Sequence, residues 1–175
     1  VIKPRYSLLL NVMRDQLDRF GEIDATARML EKIAHATTDA LVANREDSRL
    51  VKAVSALSNS PDVRYFGLED SLVPQFPSDD DLHEGKHIGT PKKIPARSPA
   101  DVLLKDFNEK GAAFTIANKD FVTPLKLKGI YNIYNSAAAL ALVRTILPEA
   151  SINSLLGALS TVTPAFGRGE TLTVG

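Results

Sequence analysis

The chain contains no cysteine and no tryptophan, and it carries no net charge, since 21 Lys and Arg balance 21 Asp and Glu. Without cysteine there is no disulfide scaffold, no thiolate zinc site and no thiol nucleophile, and the composition suits a reducing, cytoplasmic compartment. Balanced charge removes the electrostatic reason to expect nucleic acid or an anionic membrane as a partner. No apolar run reaches the ~18 residues that a membrane helix needs. Nor does the glycine-rich phosphate loop G-x-x-x-x-G-K-[ST] occur anywhere in the chain. What remains is ordinary for a globular protein: 175 residues, 44% hydrophobic and 24% charged, enough for one domain or one domain with an appendage. The chain opens on Val1-Ile2-Lys3-Pro4, without Met, and runs almost directly into an apolar stretch. It is therefore expected to be a piece of a longer or processed protein.

Three short apolar runs, 6–12, 39–44 and 63–67, show no strict alternation, as in strands buried on both faces of a parallel sheet. Between them, helical spacing appears at Ala25, Met29, Leu30, Ile33 and Ala34, and again at Leu50, Val51, Val54 and Leu57. Strand and helix alternating in this way predict a right-handed parallel α/β unit. Residues 70–100, with five prolines and the acidic cluster Asp79 to Asp81, predict a long mobile loop or insertion. Residues 101–106, 112–117 and 120–127 read as antiparallel strands, with turns at Asn108 to Gly111 and at Asn118-Lys119-Asp120. Two helices follow, 132–147 and 151–159. The expected fold class is thus α/β, a partial parallel sheet with flanking helices plus a small antiparallel sheet. Ligands of open α/β sheets usually sit beyond the carboxyl ends of the strands. The residues after Val12, Asn44 and Gly67 are the first places to look.

Four segments stand out there. After the first strand, Arg14, Asp15, Asp18, Arg19 and Glu22 crowd together, and on a helix Asp15, Asp18 and Glu22 would share a face. Such carboxylates can hold Mg²⁺ near phosphates, or simply form a salt-bridged, solvated helix start. Asn44-Arg45-Glu46-Asp47 offers nucleotide-binding amides and carboxylates, but Asn and Asp there are equally ordinary helix caps. Gly129-Ile-Tyr131-Asn132-Ile-Tyr-Asn135 places two asparagines three apart, so that one can cap while the other meets a ligand; an Asn amide both donates and accepts, as an adenine edge requires. Phe166-Gly167-Arg168-Gly169-Glu170 is either a surface turn or a site where glycine admits close backbone approach and Arg168 meets phosphate or ribose.

In this order, the four segments resemble the central, ATP-binding domain of the Mur ligase superfamily. Gln16 and Tyr131 stand where many members carry His, and this variant is similar to the MurT-type subgroup that amidates lipid II. The resemblance covers most of the chain outside 70–100. It implies a phosphate-loop-type fold and an ATP-dependent carbon–nitrogen ligase of peptidoglycan (cell-wall) synthesis. ATP would activate the D-glutamate α-carboxyl of the lipid-linked precursor as an acyl phosphate. Ammonia from a glutamine amidotransferase subunit (GatD-type) would then form the amide. By the same resemblance Asn135 would contact adenine and Arg168 ribose or phosphates, with Asn44 and Asp47 near the nucleotide. Asp15 and Gln16 would stand at the catalytic end of the first strand near Mg²⁺. Glu31 falls where many relatives carry a carbamylated lysine, and either supplies that negative charge to Mg²⁺ or faces solvent beside Arg28.

The resemblance also implies that the phosphate loop lies before Val1 and a further domain after Gly175, so the 175-residue chain by itself is expected to be inactive and prone to self-association. His83 and His87, spaced i and i+4, could chelate zinc on a helix, but nearby Gly and Pro disfavour one. Two other functions stay open on sequence alone: an amino-acid-adding Mur or folylpolyglutamate-type ligase, and a degenerate, non-catalytic binding module.

Overall fold

The computed structural model describes residues 2–14, 23–58 and 61–164. Strands β1 (Tyr6–Leu9), β2 (Ala40–Asn44) and β3 (Asp62–Leu68) pair in parallel, with Tyr6 opposite Ala40 and Ala40 opposite Asp62. Every residue of β2 is buried, which explains why its sequence does not alternate: both faces are covered. Helices α1 (Ile23–Ala36) and α2 (Ser48–Ser55) follow β1 and β2. Together they close one core around Leu9, Val12, Ala34, Leu41, Leu50 and Val54. A third helix, over Ile130–Ile146, packs on the sheet and joins a second core around Val42, Phe66, Leu68, Val102, Phe114 and Ala137. The side chains of β2 divide between these cores, Leu41 and Ala43 to one and Val42 to the other.

Strand β4 (Val102–Asn108) pairs parallel to β3 on one side and antiparallel to β5 (Gly111–Ile116) on the other; β5 pairs in turn with β6 (Lys119–Pro124). The antiparallel hairpins therefore continue the parallel sheet, giving one six-stranded sheet in the order β1 to β6. The β5–β6 turn falls at Ala117 and Asn118, both in the left-handed region (φ 50° and 61°), so β6 begins one residue before the sequence reading placed it. Two positive φ values give the turn a twist that matches the flanking strands. Helix α4 (Ile130–Ile146) is apolar through its middle, where seven residues between Ile133 and Ala141 are buried, and α5 (Ile152–Thr161) packs on β6, where the Thr123 hydroxyl donates to the Leu156 carbonyl at 3.2 Å.

The 70–100 segment crosses between β3 and β4 and holds a 3₁₀ helix (Asp70–Gln75) and the short helix α3 (Asp79–His83). Ser78 and Asp81 form a reciprocal capping box at the start of α3. Leu72, Val73 and Phe76 are buried in the second core. His83 ends α3 and Gly85 has φ +79°, so His83 and His87 do not share a helix. No described helix is long and apolar enough to cross a membrane.

Candidate functional site

A cavity of about 200 Å³ opens beyond the carboxyl ends of β1, β2 and β3. Four short stretches line it: Leu10–Met13 after β1, Asn44, Glu46 and Asp47 after β2, Phe76–Asp79 of the crossing segment, and Tyr131, Tyr134 and Asn135 on α4; Phe66 and Leu68 of β3 complete it. This is where an open α/β sheet presents backbone ends and loops to a ligand.

The walls are held by buried polar bonds. Asn44 is 6% exposed, and its Nδ2 donates to the Leu10 carbonyl at 2.8 Å. Its Oδ1 accepts from the Glu46 amide at 2.9 Å and from the Tyr134 hydroxyl at 2.6 Å. Both lone pairs of that oxygen are used, so one amide hydrogen of Asn44 remains for a ligand. Tyr134 is held well above its ordinary pKa by burial first and by the Glu46 charge second, which keeps it a phenol and a donor. Asp47 caps α2, its Oδ1 accepting from the Arg49 and Leu50 amides at 3.0 and 3.1 Å, while its Oδ2 accepts from the Val12 amide at 2.7 Å. Burial raises the Asp47 pKa in spite of these three bonds.

Glu46 sits in a cationic clamp. Its Oε1 accepts from Arg45 Nε at 2.9 Å and from the Leu68 amide at 3.0 Å, and its Oε2 pairs with Arg97. Arg45 also reaches the Leu68 carbonyl at 2.8 Å, lying across β3 at Gly67. A Cβ on residue 67 would run into the Arg45 side chain, so a larger residue there would displace Arg45 from its clamp; space rather than φ favours glycine.

The rim is different in character. Asn135 is exposed and, among the described residues, its side chain makes no hydrogen bond, whereas Asn132 turns back to the Lys128 carbonyl at 2.7 Å. Tyr131, one turn before Asn135, is 47% exposed and meets Phe76 edge-on at 6.0 Å between ring centroids. Phe76 also packs on Tyr134, at 5.2 Å. Aromatic walls with one open carboxamide suit a flat heteroaromatic ring that both donates and accepts. No three described His, Asp or Glu side chains converge as a metal site. The carboxylates at the cavity are engaged elsewhere: Glu46 by two arginines, Asp47 by three amides and Asp79 by Arg14.

Of the residues singled out from sequence, the cavity brings Asn44, Asp47 and Asn135 together. Glu31 lies on α1, does not line the cavity, and has its Oε1 3.7 Å from the His35 imidazole; Arg28 is not its described partner. Asp15, Gln16 and Arg168 lie outside the described residues. Sequence reasoning did not single out Tyr134, Glu46 or Asp79. Tyr134 and Glu46 sat inside quoted motifs, and Asp79 was hidden in a cluster read as loop composition.

The family model of the Mur ligase middle domain matches residues 1–143, and the chain belongs to that family. By sequence it is 31% identical over 157 residues to the UDP-N-acetylmuramoylalanine–D-glutamate ligase of Burkholderia cenocepacia, covering 85% of this chain and 30% of the relative. It is 25% identical over 193 residues to the MurT subunit of the glutamine-hydrolysing lipid II isoglutaminyl synthase of Streptococcus pneumoniae, covering 99% of this chain and 42% of that subunit. Among solved structures it is similar to MurF from Acinetobacter baumannii (TM-score 0.70, 17% identity, 98% of this chain and 32% of the other). It is also similar to MurF from Thermotoga maritima in complex with ADP (TM-score 0.60, 18% identity, 91% and 31%). The chain thus spans about a third of the length of the ligases it matches.

Proposed function

We propose that this chain is the nucleotide-side domain of an ATP-dependent amide ligase acting on peptidoglycan precursors. The observation that carries this reading is the cavity at the carboxyl ends of β1–β3, all of whose lining falls within the family match over residues 1–143. In it the exposed Asn135 carboxamide meets the adenine edge, and Tyr131 and Phe76 flank the base. Arg168 serves the ribose or phosphates. Asn44 and Asp47 act chiefly as clamps that shape the wall, since most of their hydrogen-bonding capacity is used internally. Asp15, Gln16 and Glu31 are proposed on the Mg²⁺ side. The described carboxylates do not by themselves build a cation site, so no step is routed through the ion.

In the finer reading, the D-glutamate α-carboxylate of lipid II attacks the γ-phosphorus of ATP. ADP leaves, and ammonia from a glutamine amidotransferase subunit displaces phosphate from the acyl phosphate. Similarity to the MurT subunit over 99% of the chain supports this. A second reading, addition of D-glutamate to UDP-N-acetylmuramoylalanine, is supported by the higher identity to that ligase, 31%. The natural full-length protein separates them. ADP release that needs lipid II, glutamine and the amidotransferase fits the first reading, and release that needs D-glutamate and the UDP-linked acceptor fits the second. In either case Asn135→Ala should raise the KM for ATP about tenfold, the worth of a good hydrogen bond to a base, with little change in kcat. Release with neither substrate set, or an unchanged KM in that variant, counts against the nucleotide reading of this cavity.

A further inference from the structure

The segment after β1 walls the cavity with Leu10 to Met13, yet those residues belong to neither a strand nor a helix. Its shape is imposed by three side chains from elsewhere. Asn44 holds the Leu10 carbonyl and Asp47 holds the Val12 amide. The third is Asp79, whose Oδ1 accepts from the Arg14 backbone amide at 2.6 Å while its Oδ2 pairs with the Arg14 guanidinium. Asn44 and Asp47 come from the recognised motif after β2. Asp79 comes from the 70–100 segment, outside the four sequence motifs though within the family match over residues 1–143.

The Asp79 side chain is only 7% exposed, against 27% for Arg14. A carboxylate this buried is tolerated only when its charge is matched and its lone pairs are used, and Arg14 does both with a backbone and a side-chain donor. The next residue reinforces the contact: Asp80 Oδ1 lies 3.5 Å from Arg14 Nη2, while Arg49 grips both Asp80 oxygens at 2.7 and 3.0 Å. On the same short stretch, Phe76, Pro77 and Ser78 themselves line the cavity. The contacts between Arg14 and the Asp79–Asp80 pair therefore join two walls of the cavity.

We propose that Asp79 is a positioning residue: it locks residues 11–14 in the shape that walls the cavity, and thereby makes nucleotide binding depend on the 70–100 segment. The second half of this statement rests on the nucleotide reading above. A merely structural aspartate would lower the melting temperature of the whole domain when neutralised, without singling out one wall or one ligand. A positioning residue loosens residues 11–14 first and weakens the ligand they enclose.

The test uses the natural full-length protein, its Asp79→Asn and Arg14→Ala variants, and Glu84→Gln as a control on the same segment. Two quantities are read: hydrogen exchange of peptides spanning 8–14, and the Kd for a non-hydrolysable ATP analogue by calorimetry. Asp79→Asn should speed exchange and raise Kd, each about tenfold, the scale of one lost charge-assisted hydrogen bond. Arg14→Ala keeps the backbone bond but leaves the buried carboxylate without its cation, so it should shift both quantities in the same direction, and it decides the matter if Asp79→Asn does not fold. Glu84→Gln should change neither. Unchanged exchange over 8–14, or an unchanged Kd in a folded variant, overturns the proposal. If the unmodified protein binds no analogue, the nucleotide reading and the coupling both fall, and exchange alone then decides whether the lock exists.

Discussion

Tyr134 donates to the Asn44 oxygen that already accepts from the Glu46 amide, and all three residues line the cavity. Replacing it by phenylalanine keeps the ring contacts with Phe66 and Phe76, at 5.2 Å each, and removes only the hydroxyl. Asn44 Oδ1 keeps one donor, so the loss is one buried bond rather than an orphaned group. Tyr134→Phe should therefore destabilise the protein by about 1 kcal/mol. Urea unfolding should show a lower midpoint at an unchanged slope; a midpoint equal to that of the parent would mean the bond contributes nothing net. The same scale explains Gly67, which no positive φ demands. The Arg45 side chain occupies the space a methyl group would need, so the residue's identity is set by its neighbour.

At the scale of elements, the 70–100 segment is tied to the domain by charge as much as by apolar burial. Asp80 is held below its ordinary pKa by the hydrogen bonds from Arg49, opposed by desolvation. For Asp81 burial is the largest influence and acts upward, but Lys92, Ser78 and Lys86 together outweigh it and hold the carboxyl well below the usual range. A carboxyl whose folded pKa is depressed contributes stability that is complete above its unfolded value, about 3.9, and fades as the pH falls through that value toward the folded one. Asp47 works in the opposite sense, because burial raises its pKa and protonation relieves part of the cost of its charge. Acid should therefore loosen the α3 region before it loosens α2. Limited proteolysis with an acid-tolerant protease, stepped downward from pH 5, should cut within 78–98 first. Simultaneous cleavage throughout the domain would count against this order.

For the whole molecule, the single continuous sheet separates two apolar cores, and the cavity lies at one end of that sheet. Among the described residues β1 has a neighbouring strand on one side only. An unpaired edge of a sheet whose strands run in parallel is a template for another chain. The 175-residue chain on its own should then self-associate, and light scattering at micromolar concentration should give a mass above 19.0 kDa. A monodisperse 19.0 kDa species would show that the edge is protected. The same chain, having no G-x-x-x-x-G-K-[ST] segment, should release no ADP from ATP unaided.

By itself the sequence determined the order of the strands and of the longer helices, and the family, because these rest on local pattern; the two short helices of 70–100, read as loop, it did not. Apolar runs without alternation marked β2, helical spacing marked α1 and α2, and four short motifs in series marked the ligase relationship. Element ends were blurred where pattern is weak, as in the first strand, which ends at Leu9 rather than at Val12 because the chain turns to wall the cavity. Tertiary structure decided that the antiparallel strands continue the parallel sheet, since β4 can pair on both edges and nothing in its composition says with what. It also decided which polar residues clamp and which stay open. Asn44 and Asn135 are the same residue type in comparable motifs, yet one is surrounded by partners and the other stands at the rim. The bond from Asp79 to Arg14 spans 65 positions of chain, and no local pattern encodes a contact made only when β1 and the crossing segment come together.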